Sequence, residues 1–203
     1  MSTPHCITLI GMMGSGKTLV GRYLALRLGW TFIDLDEQIV KDAGRSISDI
    51  FATDGEPAFR ALELKTLEEI ITPLRSPNLS RDPLNFPPAA DASNPVPEPV
   101  EWPATTSTIL SLGGGTILQP ACARLVKEHS LCVRLTASVS TLCDRLKADR
   151  KRPLLRGTEP LEDKIKRLLT ERDPAYTATA DLSIPTDGRP VDEIIDDILS
   201  RLW

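Results

Sequence analysis

Short apolar runs alternate with longer segments of helical periodicity along most of this chain. The short runs have the length of β-strands, whereas in the longer segments apolar residues recur every three or four positions. We predict strands at 5–10, 31–35, 108–112, 131–136 and 181–185, and helices at 16–28, 36–43, 47–52, 57–71, 119–128, 138–149, 160–172 and 190–201.

This alternation also predicts the fold class. Apolar strands that are each followed by a helix are typical of a parallel sheet with helices on both faces. A chain of 203 residues can bury a core without disulfides, and we expect a single domain over 1–203. Local signals support the helix boundaries. Ser46 and Ser138 have the position of N-caps, and Pro57 suits a first helical turn. Gly29 suits a C-terminal stop.

Residues 73–107 break the pattern, because they hold nine of the 17 prolines. Proline removes backbone donors and bars regular helix, so we expect a flexible insert. The insert follows a helix and precedes a strand, and it should therefore leave from the N-terminal edge of the sheet. Ligands of such sheets bind at the opposite edge. We expect the insert to lie away from the chemistry, either as a solvated spacer or as a segment that docks a partner.

Composition excludes several classes of function. The hydrophobic content of 41% and charged content of 26% are ordinary for a soluble protein. The net charge of −4 gives no basic field, so we expect no nucleic-acid or membrane partner. Four cysteines without metal-type spacing suit reduced thiols, and two distant histidines do not suggest a metal site. We find no room for a signal peptide before the first strand, and we therefore expect a cytoplasmic protein. We also expect a monomer.

The strongest motif is Gly-Met-Met-Gly-Ser-Gly-Lys-Thr at 11–18, which matches the P-loop pattern. Its glycines leave room for a phosphate, and exposed N–H groups and the next helix's positive end attract the anion. Lys17 can reach the β and γ phosphates of ATP, and Thr18 offers a hydroxyl to Mg²⁺. The alternative is a chance glycine-rich turn, but a strand precedes the motif and a helix follows it.

Two carboxylates end the second predicted strand, beside the phosphates. Asp34 could bind Mg²⁺ directly or through water. Asp36 could orient an acceptor hydroxyl or accept its proton. It could also cap the following helix, and the two roles are compatible.

Three arginines and a glycine triplet are the remaining candidates for an acceptor site. Arg60, Arg152 and Arg172 would bind a carboxylate or a transferring phosphate if they converged, although each alone is more often a surface charge. Gly113–Gly115 directly follow a predicted strand and would let a ligand approach the backbone closely. A flexible turn is the alternative interpretation of the triplet.

Together these residues resemble the shikimate kinase family. The resemblance lies in Gly-Met-Met-Gly-Ser-Gly-Lys-Thr (11–18), Phe-Ile-Asp-Leu-Asp (32–36), Gly-Arg-Ser-Ile-Ser-Asp-Ile-Phe (44–51), Gly-Glu-Pro-Ala-Phe-Arg (55–60), Ser-Leu-Gly-Gly-Gly (111–115), Arg-Pro-Leu-Leu (152–155) and Glu-Arg-Asp-Pro-Ala-Tyr (171–176). The P-loop alone occurs in many NTPases, but the combination is much more specific. It covers nearly the whole chain except the insert.

The resemblance implies a P-loop kinase fold and an activity. The fold is a three-layer α/β/α sandwich with a five-stranded parallel sheet of order 2-3-1-4-5, an approximate substrate-binding region at 34–62 and a lid at 147–159. The activity is transfer of the ATP γ-phosphoryl group to the 3-hydroxyl of shikimate, with Mg²⁺ as cofactor.

Matching positions imply roles for individual residues. The implied catalytic residues are Lys17, Asp36 and Arg152. Those implied to bind shikimate are Asp36, Arg60, Gly113, Gly114, Gly115 and Arg172. The nucleotide would contact Gly14, Ser15, Gly16, Lys17, Thr18, Leu19, Arg145 and Arg152, with Arg145 packed on adenine and with Thr18 and Asp34 on the metal side.

Two other functions fit part of the pattern. Another small-molecule P-loop kinase, such as a gluconate kinase, would also need the P-loop. A binding protein without catalysis could use the same fold. Retention of Lys17, Thr18, Asp34, Asp36 and Arg152 argues against the second possibility.

Overall fold

The computed structural model describes residues 5–72, 107–147 and 159–202. Five strands and eight α-helices follow one another in this part of the chain, with one short 3₁₀ turn. In chain order they are β1 Cys6–Ile10, α1 Lys17–Leu28, β2 Thr31–Asp34, α2 Leu35–Ala43, α3 Ile47–Thr53, α4 Gly55–Ile71, β3 Thr108–Ser111, the 3₁₀ turn Thr116–Leu118, α5 Pro120–His129, β4 Leu131–Thr136, α6 Val139–Leu146, α7 Leu161–Thr179, β5 Leu182–Pro185 and α8 Val191–Leu202.

The strands form one parallel sheet in the order β2-β3-β1-β4-β5. This confirms the predicted fold class and strand order. The register aligns Asp34 of β2 and Leu9 of β1 with Ser111 of β3 between them. The C-terminal ends of these three strands therefore lie level at one edge of the sheet.

Two apolar clusters cover the two faces of the sheet and make the three layers. One contains Ile7, Leu9 and Ile109 and packs against α1 and α8. The other contains Ile10 and Leu110 and packs against helices that include α4, α5 and α7. Strands buried on both sides in this way need apolar residues at nearly every position, which is why the strands stood out in the sequence.

Most predicted boundaries agree with the structure within one or two residues. Gly29 ends α1 with φ of 65°, and Ser46 and Ser138 accept hydrogen bonds from the amides of Asp49 and Thr141 as predicted N-caps. Helix α4 begins at Gly55 rather than 57, and α6 ends at Leu146 rather than 149. The 3₁₀ turn after the glycine triplet was not predicted.

One boundary prediction is clearly wrong. We expected a helix to end at 172, before Pro174, but α7 continues through Pro174 to Thr179. Proline inside a helix removes one backbone hydrogen bond and costs about 3 kcal/mol. The turns beyond Pro174 offset this cost by burying Tyr176 and Thr179, which are 1% and 3% exposed. Tertiary packing therefore overrides the local rule.

The two junctions of the proline-rich insert lie at Thr72 and Ser107, and the carbonyl of Ser107 accepts a hydrogen bond from the amide of Thr31 at the start of β2. The chain thus enters β3 at the N-terminal edge of the sheet. Residues 73–106 of the predicted insert at 73–107 lie outside the described residues, so the flexibility and remoteness of the insert stay predictions. No helix in the described ranges is both long and apolar enough to cross a membrane.

Candidate active site

The candidate site lies at the C-terminal edge of the sheet, where β1, β2 and β3 end level with one another. The P-loop follows β1, the two carboxylates follow β2, and the glycine triplet follows β3. The sheet register therefore brings three motifs together that lie far apart in sequence.

The P-loop wraps tightly against the end of β4. Gly11 has φ of 139°, and a Cβ there would overlap the carbonyl oxygen of Leu135. Only glycine fits this position, for both reasons. Lys17 is 9% exposed, and its ammonium donates hydrogen bonds to the carbonyls of Gly11 (3.0 Å) and Met12 (3.1 Å). The lysine is thus folded over the loop that would hold the phosphates.

A buried hydroxyl in the P-loop has no hydrogen-bond partner. Ser15 is 1% exposed, and its Oγ finds no donor or acceptor among the described residues. An unpaired buried polar group costs free energy, so such groups need a ligand or water. The orphan hydroxyl therefore supports an anion-binding role for the loop.

Thr18 and Asp34, which the sequence predicts on the metal side of the site, are hydrogen-bonded to each other. The Thr18 hydroxyl donates to Asp34 Oδ2 at 2.8 Å. The other oxygen, Oδ1, accepts from the backbone amide of Asp36 at 3.1 Å, so Asp34 is the N-cap of α2. The alternative interpretation of Asp36 as the cap is wrong, because α2 begins at Leu35, one residue earlier than predicted. Asp36 instead lies in the first turn of α2.

The glycine triplet is where the acceptor residues converge. A Cβ at Gly113 would lie 2.8 Å from Asp36 Oδ1. One at Gly114 would lie 3.4 Å from Arg172 Nη1, and one at Gly115 would lie 3.0 Å from Arg60 Nη2. Gly113 and Gly115 thus leave space for Asp36 and Arg60, whereas a Cβ at Gly114 would be in ordinary contact with Arg172. The convergence on which the interpretation of Arg60 and Arg172 depended is present in the structure.

Arg60 is held from both sides by carboxylates on its own helix. It pairs with Glu63, and its Nε and Nη2 donate to Glu56 Oε1 at 3.1 and 2.9 Å. Burial alone would lower the pKa of Arg60, but the carboxylates of Glu63 and Glu56 outweigh it and raise that pKa. The guanidinium therefore stays charged.

Glu63 is a functional candidate that the sequence predictions missed. It is 1% exposed, and besides Arg60 it accepts hydrogen bonds from Thr116 Oγ1 (2.7 Å) and Gln119 Nε2 (3.2 Å). The carboxylate thus fixes Arg60 to the turn after the glycine triplet. A signal was present, since Phe59, Glu63 and Leu67 are spaced four apart, and a glutamate within a buried stripe requires partners.

Arg172 and Tyr176 share one acceptor, the carbonyl oxygen of Gly114. Arg172 Nη1 donates to it at 3.0 Å and the Tyr176 hydroxyl at 2.6 Å. Burial raises the pKa of Tyr176, so the phenol remains a donor at neutral pH. Arg172 is 6% exposed, so this cation is buried at the acceptor end of the site.

Arg145 reaches from α6 to the P-loop. Its Nη1 donates to the carbonyl of Gly14 and to Thr186 Oγ1, both at 3.1 Å, and its Nη2 donates to the carbonyl of Thr186 at 2.9 Å. The family resemblance implies that Arg145 lies at the nucleotide, and its contact with the loop is compatible with that role.

Asp187 follows Thr186 and caps the segment before α6. The hydroxyls of Thr141 and Ser138 and the amide of Ser138 hold the pKa of Asp187 below its usual value. The bonds from Ser138 to Asp187 Oδ1 measure 2.7 Å for the hydroxyl and 2.8 Å for the amide.

Other predicted site residues have simpler surroundings or lie outside the described ranges. Leu19 is 54% exposed beside the P-loop. Arg152 and most of the predicted lid at 147–159 lie outside the described residues, and so their roles stay predictions.

The four cysteines are free, in agreement with the expectation of reduced thiols. Burial raises the pKa of Cys6, Cys122 and Cys132 to about 12. These thiols are therefore not nucleophiles at neutral pH.

Comparison with known proteins agrees with this geometry. A family model described as shikimate kinase matches residues 13–75 and 101–203. A curated shikimate kinase from Chlorobium chlorochromatii is 33% identical over 206 residues, which cover 98% of this chain and 91% of the relative. A curated shikimate kinase from Geobacter sulfurreducens is 35% identical over 192 residues, which cover 95% and 87%.

Two solved structures are also similar. The shikimate kinase from Acinetobacter baumannii in complex with shikimate has a TM-score of 0.79 and 30% identity, with 99% of this chain and 93% of that chain covered. A gluconokinase from Sinorhizobium meliloti has a TM-score of 0.52 and 18% identity over 100% and 93%, which shows a shared fold alone. The matches span almost the whole chain and include both halves of the site described above, and this protein belongs to the shikimate kinase family.

Proposed function

We propose that this chain transfers the γ-phosphoryl group of ATP to the 3-hydroxyl of shikimate, giving shikimate 3-phosphate and ADP. As a family member it is a phosphotransferase. The observation that carries the choice of acceptor is the convergence of Asp36, Arg60 and Arg172 on the glycine triplet beside the P-loop. Two cations suit a carboxylate, and a carboxylate side chain suits hydroxyl groups.

On the donor side, the P-loop binds the phosphates. Its backbone amides and the N-terminus of α1 face the anion, and Ser15 gains a partner. Lys17 leaves the carbonyls of Gly11 and Met12 and pairs with the β and γ phosphates. Arg145 is proposed to pack against the adenine, and its hydrogen bond to the carbonyl of Gly14 supports a position beside the P-loop.

Thr18 and Asp34 fit a Mg²⁺ ion. Both offer oxygen, the ligand this ion prefers, and their oxygens lie 2.8 Å apart. No group of three or more His, Cys, Asp or Glu side chains that could hold a metal occurs within residues 5–72, 107–147 and 159–202. We expect the Thr18 hydroxyl to hold the ion together with phosphates and water, with the Asp34 carboxylate bound to it directly or through water. When bound, the ion neutralises charge on the β and γ phosphates.

On the acceptor side, Arg60 and Arg172 hold the carboxylate of shikimate and Asp36 holds its hydroxyls. The 3-hydroxyl oxygen then forms a bond to the γ phosphorus as the bond to the bridging oxygen of ADP breaks. Asp36 orients the hydroxyl or accepts its proton. Such a reaction depends on positioning and charge neutralisation more than on covalent chemistry by the protein. Arg152 is proposed to meet the transferring phosphoryl group.

A coupled assay of ADP release tests this function. Purified protein with ATP and Mg²⁺ should release ADP when shikimate is added and not when gluconate is added. Release with gluconate alone would favour another small-molecule kinase. Shikimate binding by calorimetry without ADP release would favour a binding protein. Either result would refute the proposal.

We also propose a cytoplasmic location, which the four free cysteines support.

A further inference from the structure

Arg134 is an unusual residue for its place in the fold. It lies within β4, level with Ile10 of β1 and Ser183 of β5. The five described strands contain two charged residues, Asp34 at the end of β2 and Arg134 within β4. A cation that is largely buried in a parallel sheet needs partners, because burial removes water from its charge.

The partners of Arg134 all lie on α7. Its side chain is 13% exposed and pairs with Asp173. Its Nη1 donates to Thr177 Oγ1 at 2.9 Å, and its guanidinium carbon lies 5.4 Å from the ring centroid of Tyr176. A planar guanidinium can make a forked contact and stack on a ring at the same time, which a lysine cannot do.

These contacts bracket Pro174. Asp173 and Thr177 lie on either side of it, and the proline removes the backbone hydrogen bond that residue 174 would otherwise donate to the carbonyl of Thr170, in the turn that contains Asp173. Arg172 and Tyr176, which both donate to the carbonyl of Gly114, lie in the same stretch. Arg134 of β4 therefore stabilises the turn of α7 that ends at Pro174, and this turn contains Arg172.

We propose that Arg134 is a positioning residue for the acceptor substrate: its contacts with Asp173, Thr177 and Tyr176 fix the direction of Arg172. This rests on the proposed function, in which Arg172 binds the shikimate carboxylate. Arg134 itself does not touch the substrate. Its loss therefore affects binding of shikimate and leaves binding of ATP unchanged.

The test is a KM measurement for both substrates. Arg134→Met should raise the KM for shikimate about tenfold, since small misplacements of binding groups cost up to about a hundredfold, and should leave the KM for ATP unchanged. Thr177→Val and Asp173→Asn, which change exposed partners, should each raise the shikimate KM less. Combining Asp173→Asn with Arg134→Met should add little to Arg134→Met alone, because both act through one contact.

Two controls separate the possible failures. Arg27 lies in the last turn of α1 and forms an exposed ion pair with Asp196 of α8. Arg27→Met removes this pair and should change neither KM. Arg172→Met should raise the shikimate KM more than any other variant. If it does so while Arg134→Met, Asp173→Asn and Thr177→Val keep the wild-type KM, the inference is wrong and the proposed function stands. If wild type shows no dependence on shikimate, both are overturned. If Arg172→Met keeps the wild-type KM for shikimate, the inference is wrong, because Arg172 then does not bind the acceptor. Should Arg134→Met fail to fold, the two α7 variants decide by the same criterion.

Discussion

The buried carboxylate of Glu63 gives a sharp test of how the acceptor site is stabilised. Glu63→Gln keeps the shape of the side chain and removes its charge. The glutamine oxygen can still accept from Arg60, but a bond to a charged group is replaced by a weaker one. Hydrogen bonds to ionised groups contribute about 1.5–3 kcal/mol and neutral ones about 0.5–1.5 kcal/mol. Removing a partner of a fully buried pair costs about 3–5 kcal/mol.

The second figure is an upper bound for Glu63. The side chain of Arg60 is 23% exposed and keeps its contact with Glu56. We expect Glu63→Gln to lower the free energy of unfolding by about 2 kcal/mol. This value lies above the contribution of a neutral hydrogen bond and below the cost of breaking a fully buried pair. For a domain of this size that corresponds to a fall in Tm of about 4–8 °C.

Glu56→Gln is a matched control, because it removes a carboxylate from the same arginine. Glu56 is 62% exposed, so this change should cost only about 0.3–0.5 kcal/mol. Urea unfolding followed by circular dichroism measures both variants. Equal losses in the two variants would refute the reasoning, since burial is the property that separates the two carboxylates.

Four further predictions concern catalysis, binding and pH. Lys17→Ala should lower kcat at least about a hundredfold, as loss of a charge-stabilising donor does, while calorimetry shows shikimate binding largely intact; near-normal turnover would contradict the role of Lys17. Arg60→Ala should raise the KM for shikimate about 10- to 150-fold, from a charge-assisted contact of about 1.5–3 kcal/mol, and equal weakening of ATP would count against the assignment. Gly115→Ala places a methyl group 3.0 Å from Arg60 Nη2 and should raise the shikimate KM about tenfold with kcat for saturated enzyme nearly unchanged; an unaltered KM would show that the arginine moves freely. Because the folded pKa of Asp187 is lowered, its stabilisation is present above the unfolded pKa and is lost as pH falls through the folded value; the stability gap between wild type and Asp187→Asn should therefore shrink between about pH 7 and pH 3, and a constant gap in urea titrations would be inconsistent with this.

Features that depend on neighbouring residues were predictable from the sequence. The strands were visible because burial on both faces leaves an almost purely apolar run, as in Cys6–Ile10. The P-loop was visible because its chemistry lies within eight consecutive residues. The caps at Ser46 and Ser138 are also local, since each serine bonds an amide three residues on.

Features that depend on distant contacts were not predictable in the same way. Helix α7 continues beyond Pro174 because Tyr176 donates a hydrogen bond to the carbonyl of Gly114 and packs against Arg134. Neither contact is visible in the local pattern. The spacing of Glu63 within a buried stripe shows that it needs a partner, but that partner, Thr116, comes from another part of the chain and is not visible in the local pattern. The convergence of Arg60 and Arg172 likewise depends on sheet register, which fixes the glycine triplet between them.

The glycine triplet also fixes how far apart the two proposed substrates lie. A Cβ at Gly114 would lie 3.4 Å from the amide nitrogen of Met13, in the P-loop. The donor loop and the acceptor loop follow β1 and β3, which are adjacent strands about 4.8 Å apart. In the proposed reaction, the spacing between β1 and β3 therefore sets the distance between the donor loop and the acceptor loop, and with it the distance over which the phosphoryl group is transferred. A methyl group at residue 114 would already be in van der Waals contact with Met13, so any larger side chain there would have to displace one of the two loops.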